Sequence, residues 1–205
     1  MKNLKLTYFD FPGGRGEPAR LALFLGGIDF EDQRIPSDQW PALKTQMPFH
    51  ALPVLEVDGK TISQCNTINR YVGRLTDLYP TDPWQAALCD EVMDAIEDIG
   101  QQIFSTLFMT DEDEKKRLRE ALENGPIPVY LNRLQAYLSE HGGEYFADNR
   151  LTVADLKVYI WIRHLRSGNL DYISPTLVEQ CAPLLVKHFE RVNSHARIIA
   201  YYQRP

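Results

Sequence analysis

Residues 51–67 read ALPVLEVDGKTISQCNT. Pro53 opens a strand, PVLEV, and Asp58-Gly59 is a two-residue turn signal that reverses the chain into a second strand, TISQ. That strand ends in the polar or small residues Ser63, Gln64, Cys65, Asn66 and Thr67, and a helical pattern, INRYVGRL, follows at once. A helix N-terminus carries unpaired N–H groups and roughly half a positive charge. A hairpin that hands its polar end to such a terminus makes a cradle for a negatively charged peptide.

Strand and helix signals alternate through the first eighty residues. LKLTYF at 4–9 is a strand with Leu4, Leu6 and Tyr8 on one face. PGGRGEP at 12–18 is a loop rich in turn residues. ARLALFLGG at 19–27 is a helix, with Pro18 near its first position, Gly26-Gly27 at its end, and an apolar stripe of Leu21, Phe24, Leu25 and Ile28. FEDQRI supplies a second strand, SDQWPALKTQ a short irregular helix, and NTINRYVGRL a closing helix. The order β-α-β, connection, β-β-α predicts a mixed sheet with helices packed on it.

TDLYPTDP, at 76–83, reads as a linker, and strand signals nearly vanish beyond it. The expected division is an α/β domain at 1–79, a linker at 80–84 and an all-helical domain at 85–205. A long helix covers 84–108, with Trp84, Leu88, Val92, Ile96, Ile99 and Ile103 along one side and a polar face of Glu91, Asp94, Asp98 and Gln102. One or two helices cover 111–143, and the last helices cover 153–168 and 182–195. LTVADL is a strong start signal: Thr152 can cap, Asp155 sits three residues on, and Leu151 and Leu156 take the staple positions.

The 205 residues are 44% hydrophobic and 24% charged, an ordinary globular balance. A net charge of −6 with no basic stripe argues against nucleic acid. No apolar run approaches the ~20 residues of a membrane helix, and no secretory leader is visible. Cys65, Cys89 and Cys181 form no CxxC and suit reduced thiols in a cytoplasm. The five histidines show no ligand spacing, so no metal is expected.

Taken in order, TYF, GRGEPARL, Trp40 with Lys44, MPF, LPVLEVDG, SQCNTINRYV and the distant LTVADL resemble a cytosolic glutathione transferase, most closely the sigma class, which includes prostaglandin D synthases and cephalopod lens crystallins. The motifs span almost the whole chain. The resemblance implies a thioredoxin-like glutathione-binding domain followed by an all-α domain, glutathione as co-substrate, small apolar electrophiles as second substrate, and a cytoplasmic homodimer. It implies that Gln64 and the Cys65 N–H hold the γ-glutamyl carboxylate. The family carries a cis-proline ahead of its third strand, while the sequence leaves the isomer at Pro53 open; the backbone at Ala51, Leu52 and Pro53 would pair with the cysteinyl unit, and Trp40 and Lys44 would hold the glycine carboxylate. Asp98 of the partner subunit would reach the ligand amine. Tyr8 would stabilise the thiolate, supported by Arg15.

The energetics of that role are reasonable. A thiol of pKa ~8.5 is only ~3% ionised at pH 7, and lowering it to ~6.5 takes ~2.7 kcal/mol. One hydrogen bond donated to a charged acceptor supplies ~1.5–3 kcal/mol. The bland alternatives are that Tyr8 fills a strand face and that Arg15 pairs with Glu17. Phe9, Phe11, Phe104, Ser105, Phe108 and Trp161 are candidates for the electrophile pocket.

The chain departs from the family pattern in three places. The DFPGGRG loop is one residue longer than usual, which Gly13-Gly14 can absorb. Cys65 replaces a serine, and either keeps only its backbone N–H contact or acts as a redox-sensitive thiol. His50 and Ala51 remove a side-chain contact. Two other functions share the scaffold: a glutathione-dependent isomerase or peroxidase, and a non-catalytic structural protein of the crystallin type.

Overall fold

The computed structural model describes residues 2–204. The chain begins β1 (Leu4–Phe9), α1 (Glu17–Leu25), β2 (Glu31–Ile35), α2 (Trp40–Leu43), β3 (Val54–Val57), β4 (Lys60–Ser63) and α3 (Cys65–Leu75), with two single 3-10 turns, Lys44–Gln46 and Pro48–His50, ahead of β3. The strands lie in the order β2-β1-β3-β4. β1 runs parallel to β2, with Tyr8 opposite Arg34, as the α1 crossover requires. It runs antiparallel to β3, with Leu6 opposite Leu55, and the Asp58-Gly59 turn sets Val54 opposite Ser63. The mixed sheet expected from the sequence is therefore present.

α1 departs from its expected one-sided stripe. Residues Glu17 to Leu23 are all buried, whereas Phe24, Leu25 and Ile28 are only half-buried at the rim. The helix packs between α3 and a later helix, so it has little free face for a stripe to contrast with.

The second half is helical: α4 (Pro83–Phe104), α5 (Glu112–Glu123), α6 (Pro126–Glu140), α7 (Val153–Leu165), α8 (Leu177–Cys181), α9 (Pro183–Asn193) and α10 (Ala196–Tyr202). The Asp82 carboxylate caps α4, accepting from the N–H groups of Trp84 at 3.0 Å and Gln85 at 2.9 Å. Trp84 itself is 68% exposed, against expectation, because the first turn of α4 projects past the core. α4 also stops at Phe104 rather than continuing to 108. Gly125-Pro126 divides the 111–143 stretch into two helices, since proline cannot continue a helix but is favoured at its first turn.

α7 starts at the LTVADL signal. The Asp155 carboxylate accepts from the Thr152 N–H at 2.8 Å and the Thr152 hydroxyl at 2.7 Å, and also from the Phe146 N–H at 3.1 Å and His188 Nε2 at 2.9 Å. One buried carboxylate thus ties α7 to the preceding loop and to α9. The main core is continuous through both halves, from Leu6 and Leu55 of the sheet through Val72, Ile96 and Ile99 to Leu156 and Ile160. No helix among the described residues is long and apolar enough to cross a membrane.

Candidate functional site

Tyr8, the penultimate residue of β1, belongs to a small second core made of Tyr8, Ile35, Leu52 and Val54, with Phe9, Trp40, Leu43 and Met47 against it. Period-two alternation puts Tyr8 on the same side as Leu6. Its ring is 5% exposed, and burial pushes the phenol up to about 12, only partly opposed by the Arg15 N–H and the Arg15 charge. The hydroxyl therefore stays protonated at neutral pH. It accepts from the Arg15 backbone N–H at 2.9 Å, and a hydroxyl that accepts still has its own proton to donate.

Glycines in the loop after β1 allow this contact. Gly13 and Gly14 have φ of 151° and 67°, and a side chain at Gly14 would bring its Cβ to 2.5 Å from the Tyr8 hydroxyl. A Cβ at Gly16 would overlap the Tyr8 ring. Glycine is needed here because the loop folds directly over the tyrosine.

Arg15 does not pair with Glu17. Glu17 is fully buried beside Arg20 at 3.3 Å. The Arg15 guanidinium instead reaches α4, where Nε meets Glu97 Oε1 at 2.5 Å and Nη2 meets Gln101 Oε1 at 2.7 Å, and it lies 4.8 Å above the Phe104 ring.

The head of α3 lies at the end of β4. Gln64, its N-cap, has φ 71° and ψ 118°, a conformation that costs a non-glycine residue on the order of 1–3 kcal/mol and concentrates at ligand clamps. The first bond of the helix runs from the Ile68 N–H to the Gln64 carbonyl, so the N–H groups of Cys65, Asn66 and Thr67 precede the intrahelical ladder. The Cys65 side chain points the other way, its thiol donating to Glu97 Oε2 at 3.0 Å. Burial pushes that thiol up to about 11 despite the nearby Lys157 ammonium. It is a protonated structural donor, not a reactive thiolate.

The remaining sequence candidates fall into four groups. Trp40 packs edge-on against Phe9 at 5.4 Å, Lys44 is exposed one turn later, Leu52 and Pro53 are buried with a cis bond between them, and Ala51 is exposed. Phe11, Phe104 and Phe108 are exposed aromatics; Phe11 lies 5.8 Å from the Tyr8 ring, Phe104 and Phe108 are in an edge contact at 5.7 Å, and Ser105 caps α4 and returns its hydroxyl to the Gln102 carbonyl. Trp161 belongs to the buried core of α7, one turn beyond Lys157. Asp98 lies on the exposed face of α4.

Two members of the site have no counterpart in the sequence expectations. Glu97 lies one residue before Asp98 and turns inward rather than outward. Lys157 is the only lysine in α7, a helix buried along most of its length. A lysine set among apolar residues, between Leu156 and Val158, was the available signal. The Lys157 ammonium reaches Glu97 Oε2 at 2.8 Å and also bonds Asn66 Oδ1. Burial alone would raise the Glu97 carboxyl, but Lys157 and the bonds from Cys65 and Lys157 outweigh it and pull the group down to about 2.

Comparison with known proteins places both halves of the chain in one family. Residues 4–74 match the family described as glutathione S-transferase, N-terminal domain, and residues 97–205 match glutathione S-transferase, C-terminal domain. Glutathione S-transferase 1 of Ascaris suum is 36% identical over 177 residues, 85% of each chain. The structure of a prostaglandin synthase D from Nilaparvata lugens superposes with a TM-score of 0.88 at 31% identity, covering 99% of this chain and 98% of that one. A sigma class enzyme of Fasciola hepatica gives 0.84 at 28% identity, covering 98% and 96%. With both halves matched in order and relatives aligned along nearly the full length, this chain belongs to the glutathione S-transferase family.

Proposed function

We propose that the chain is a sigma-class enzyme that transfers the glutathione thiolate to small apolar electrophiles, with the Tyr8 hydroxyl donating to the sulfur. The observation that carries this is the buried phenol, held neutral, whose oxygen already accepts from the Arg15 N–H while its proton remains to be given away. The donor set suits glutathione. The free N–H groups at the head of α3, with Gln64, match the γ-glutamyl carboxylate. The Leu52 backbone ahead of β3 matches the extended cysteinyl unit. Trp40 and Lys44 supply one indole N–H and one ammonium for the glycine carboxylate, and Asp98 of the partner subunit supplies a carboxylate for the ligand amine. Phe11, Phe104 and Phe108 would offer an apolar surface to the electrophile beside the sulfur.

The chain would act as a cytoplasmic homodimer. Phe49 is 78% exposed, an unusual state for a phenylalanine, and sits where Phe49 and His50 both have positive φ. Elsewhere, Val92, Ala95, Val129, Tyr130 and Leu134 of α4 and α6 line a cavity of about 310 Å³. In a two-fold dimer one such contact is made twice.

Isomerisation or peroxide reduction on the same glutathione site is the second reading, favoured by the likeness to the Nilaparvata prostaglandin synthase. Rates with 1-chloro-2,4-dinitrobenzene, cumene hydroperoxide and prostaglandin H separate the two. Conjugation is expected to dominate. A chain that binds glutathione but turns over only the prostaglandin would overturn the transferase assignment.

A further inference from the structure

Lys157 is 6% exposed, and its ammonium joins a chain of contacts that crosses from the helical half of the molecule to the tyrosine. The chain runs from Lys157 Nζ to Glu97 Oε2 at 2.8 Å, from Glu97 Oε1 to Arg15 Nε at 2.5 Å, and from the Arg15 N–H to the Tyr8 hydroxyl at 2.9 Å. Four separate elements contribute: α7, α4, the loop after β1, and β1. Other charged or titratable groups near it are Cys65, which donates to Glu97, and Asp94, which is engaged by Asn66 at 2.5 Å and Arg70 at 3.4 Å, with Arg70 also on Asp90 at 2.7 Å.

Stability does not explain the lysine. A buried ion pair replaced by apolar groups of similar volume is often neutral or stabilising, and methionine matches lysine in length. The charge count gives a different reason. Arg15 and Glu97 alone would cancel. With Lys157 present, the three groups carry one net positive charge beside the Tyr8 hydroxyl, and Glu97 can grip Arg15 without neutralising the site.

We propose that Lys157 and Glu97 are positioning residues for the thiolate: Lys157 balances the Glu97 carboxylate, and Glu97 anchors the side chain of Arg15, whose backbone N–H seats on the Tyr8 hydroxyl. This rests on the assignment of Tyr8 as the thiolate donor. It goes further in naming a residue 149 positions away as one that sets how acidic the bound thiol is.

The test is a pH titration of thiolate absorbance in the glutathione complex, alongside kcat and KM for conjugation. Lys157→Met is expected to raise the bound thiol pKa by about 0.5–1 and to lower kcat near neutrality about three- to tenfold. KM for glutathione should move by less than about twofold, and Lys157→Arg should restore most of the loss. The Lys157→Met/Glu97→Gln double variant leaves no charge buried alone, so it keeps the fold if the single variant does not. It should show a smaller rise, because it keeps the net charge and loses only the grip on Arg15. A thiol pKa equal to the parent's in the folded single variant, or in the double variant where the single one fails to fold, overturns the proposal. Tyr8→Phe is the control. If it shifts the thiol while the lysine and glutamate variants do not, only the positioning role fails. If it leaves the thiol unchanged, the Tyr8 assignment fails and the positioning role with it.

Discussion

The Arg15 backbone N–H lies 2.9 Å from the Tyr8 hydroxyl oxygen, so the loop that follows β1 turns back and seats itself on the last tyrosine of that strand. The hydroxyl is thereby aimed by main chain, which has no rotamer to lose. Tyr8→Phe should lower conjugation turnover about ten- to a hundredfold near pH 6.5, or ~1.4–2.7 kcal/mol of barrier. The deficit should shrink towards pH ~9, where a thiol of pKa ~8.5 ionises unaided. A deficit of constant size across that range would mean the hydroxyl acts on something other than thiol ionisation.

Gly14 is required by contact and by conformation, and Gly16, at φ −85°, by contact alone. Gly14→Ala places a side chain at φ 67° and against the tyrosine oxygen. It should cost about 1–3 kcal/mol in denaturant unfolding and reduce kcat more than glutathione affinity, since the head of α3 is untouched. Parent-like turnover would show that the loop can move off Tyr8 freely.

Glu97 sets an acid limit. Its folded pKa of about 2 lies below the ordinary carboxylate value, so its pairing contributes stability above ~4.3. That contribution is lost as pH falls from there towards the folded value. Melting temperatures of the parent and of Glu97→Gln, taken between about pH 5 and pH 2.5, should converge as the pH drops. Parallel curves would place the stabilising role of Glu97 outside its ionisation.

Phe49 should hold two subunits together. Phe49→Ala removes most of an exposed aromatic side chain and should shift the sedimentation profile towards monomer at micromolar protein. Turnover should fall with it if Asp98 of the partner subunit completes the site. A wild-type chain that sediments as a monomer would remove the dimer and that contact together.

Thr152→Ala should cost ~1 kcal/mol, the usual worth of a helix cap. Asp155→Ala should cost at least ~3 kcal/mol, because four donors from Thr152, Phe146 and His188 converge on it inside the core. Urea unfolding measures both. A smaller loss for Asp155→Ala than for Thr152→Ala would contradict the hub described for α7.

Much of this was legible locally. The Asp58-Gly59 turn, the LTVADL start and the Asp82-Pro83 cap are written in adjacent residues, because turns and caps are decided by the few residues that make them. Trp84 misled because it falls in phase with the apolar stripe of α4, and periodicity does not say where a helix leaves the core. α1 misled for the opposite reason, since burial on nearly all sides erases the period.

The sequence by itself determined the α/β start, the helical second half, the tyrosine at the end of β1 and the polar head of α3, all of them consequences of short-range pattern. Only the tertiary structure decided that Arg15 turns from Glu17 to Glu97, that the Cys65 thiol faces away from the head of α3, and that Lys157 lies within reach of both. Ion pairs between distant segments are chosen by which side chains the packed core leaves facing one another, and no local pattern carries that information.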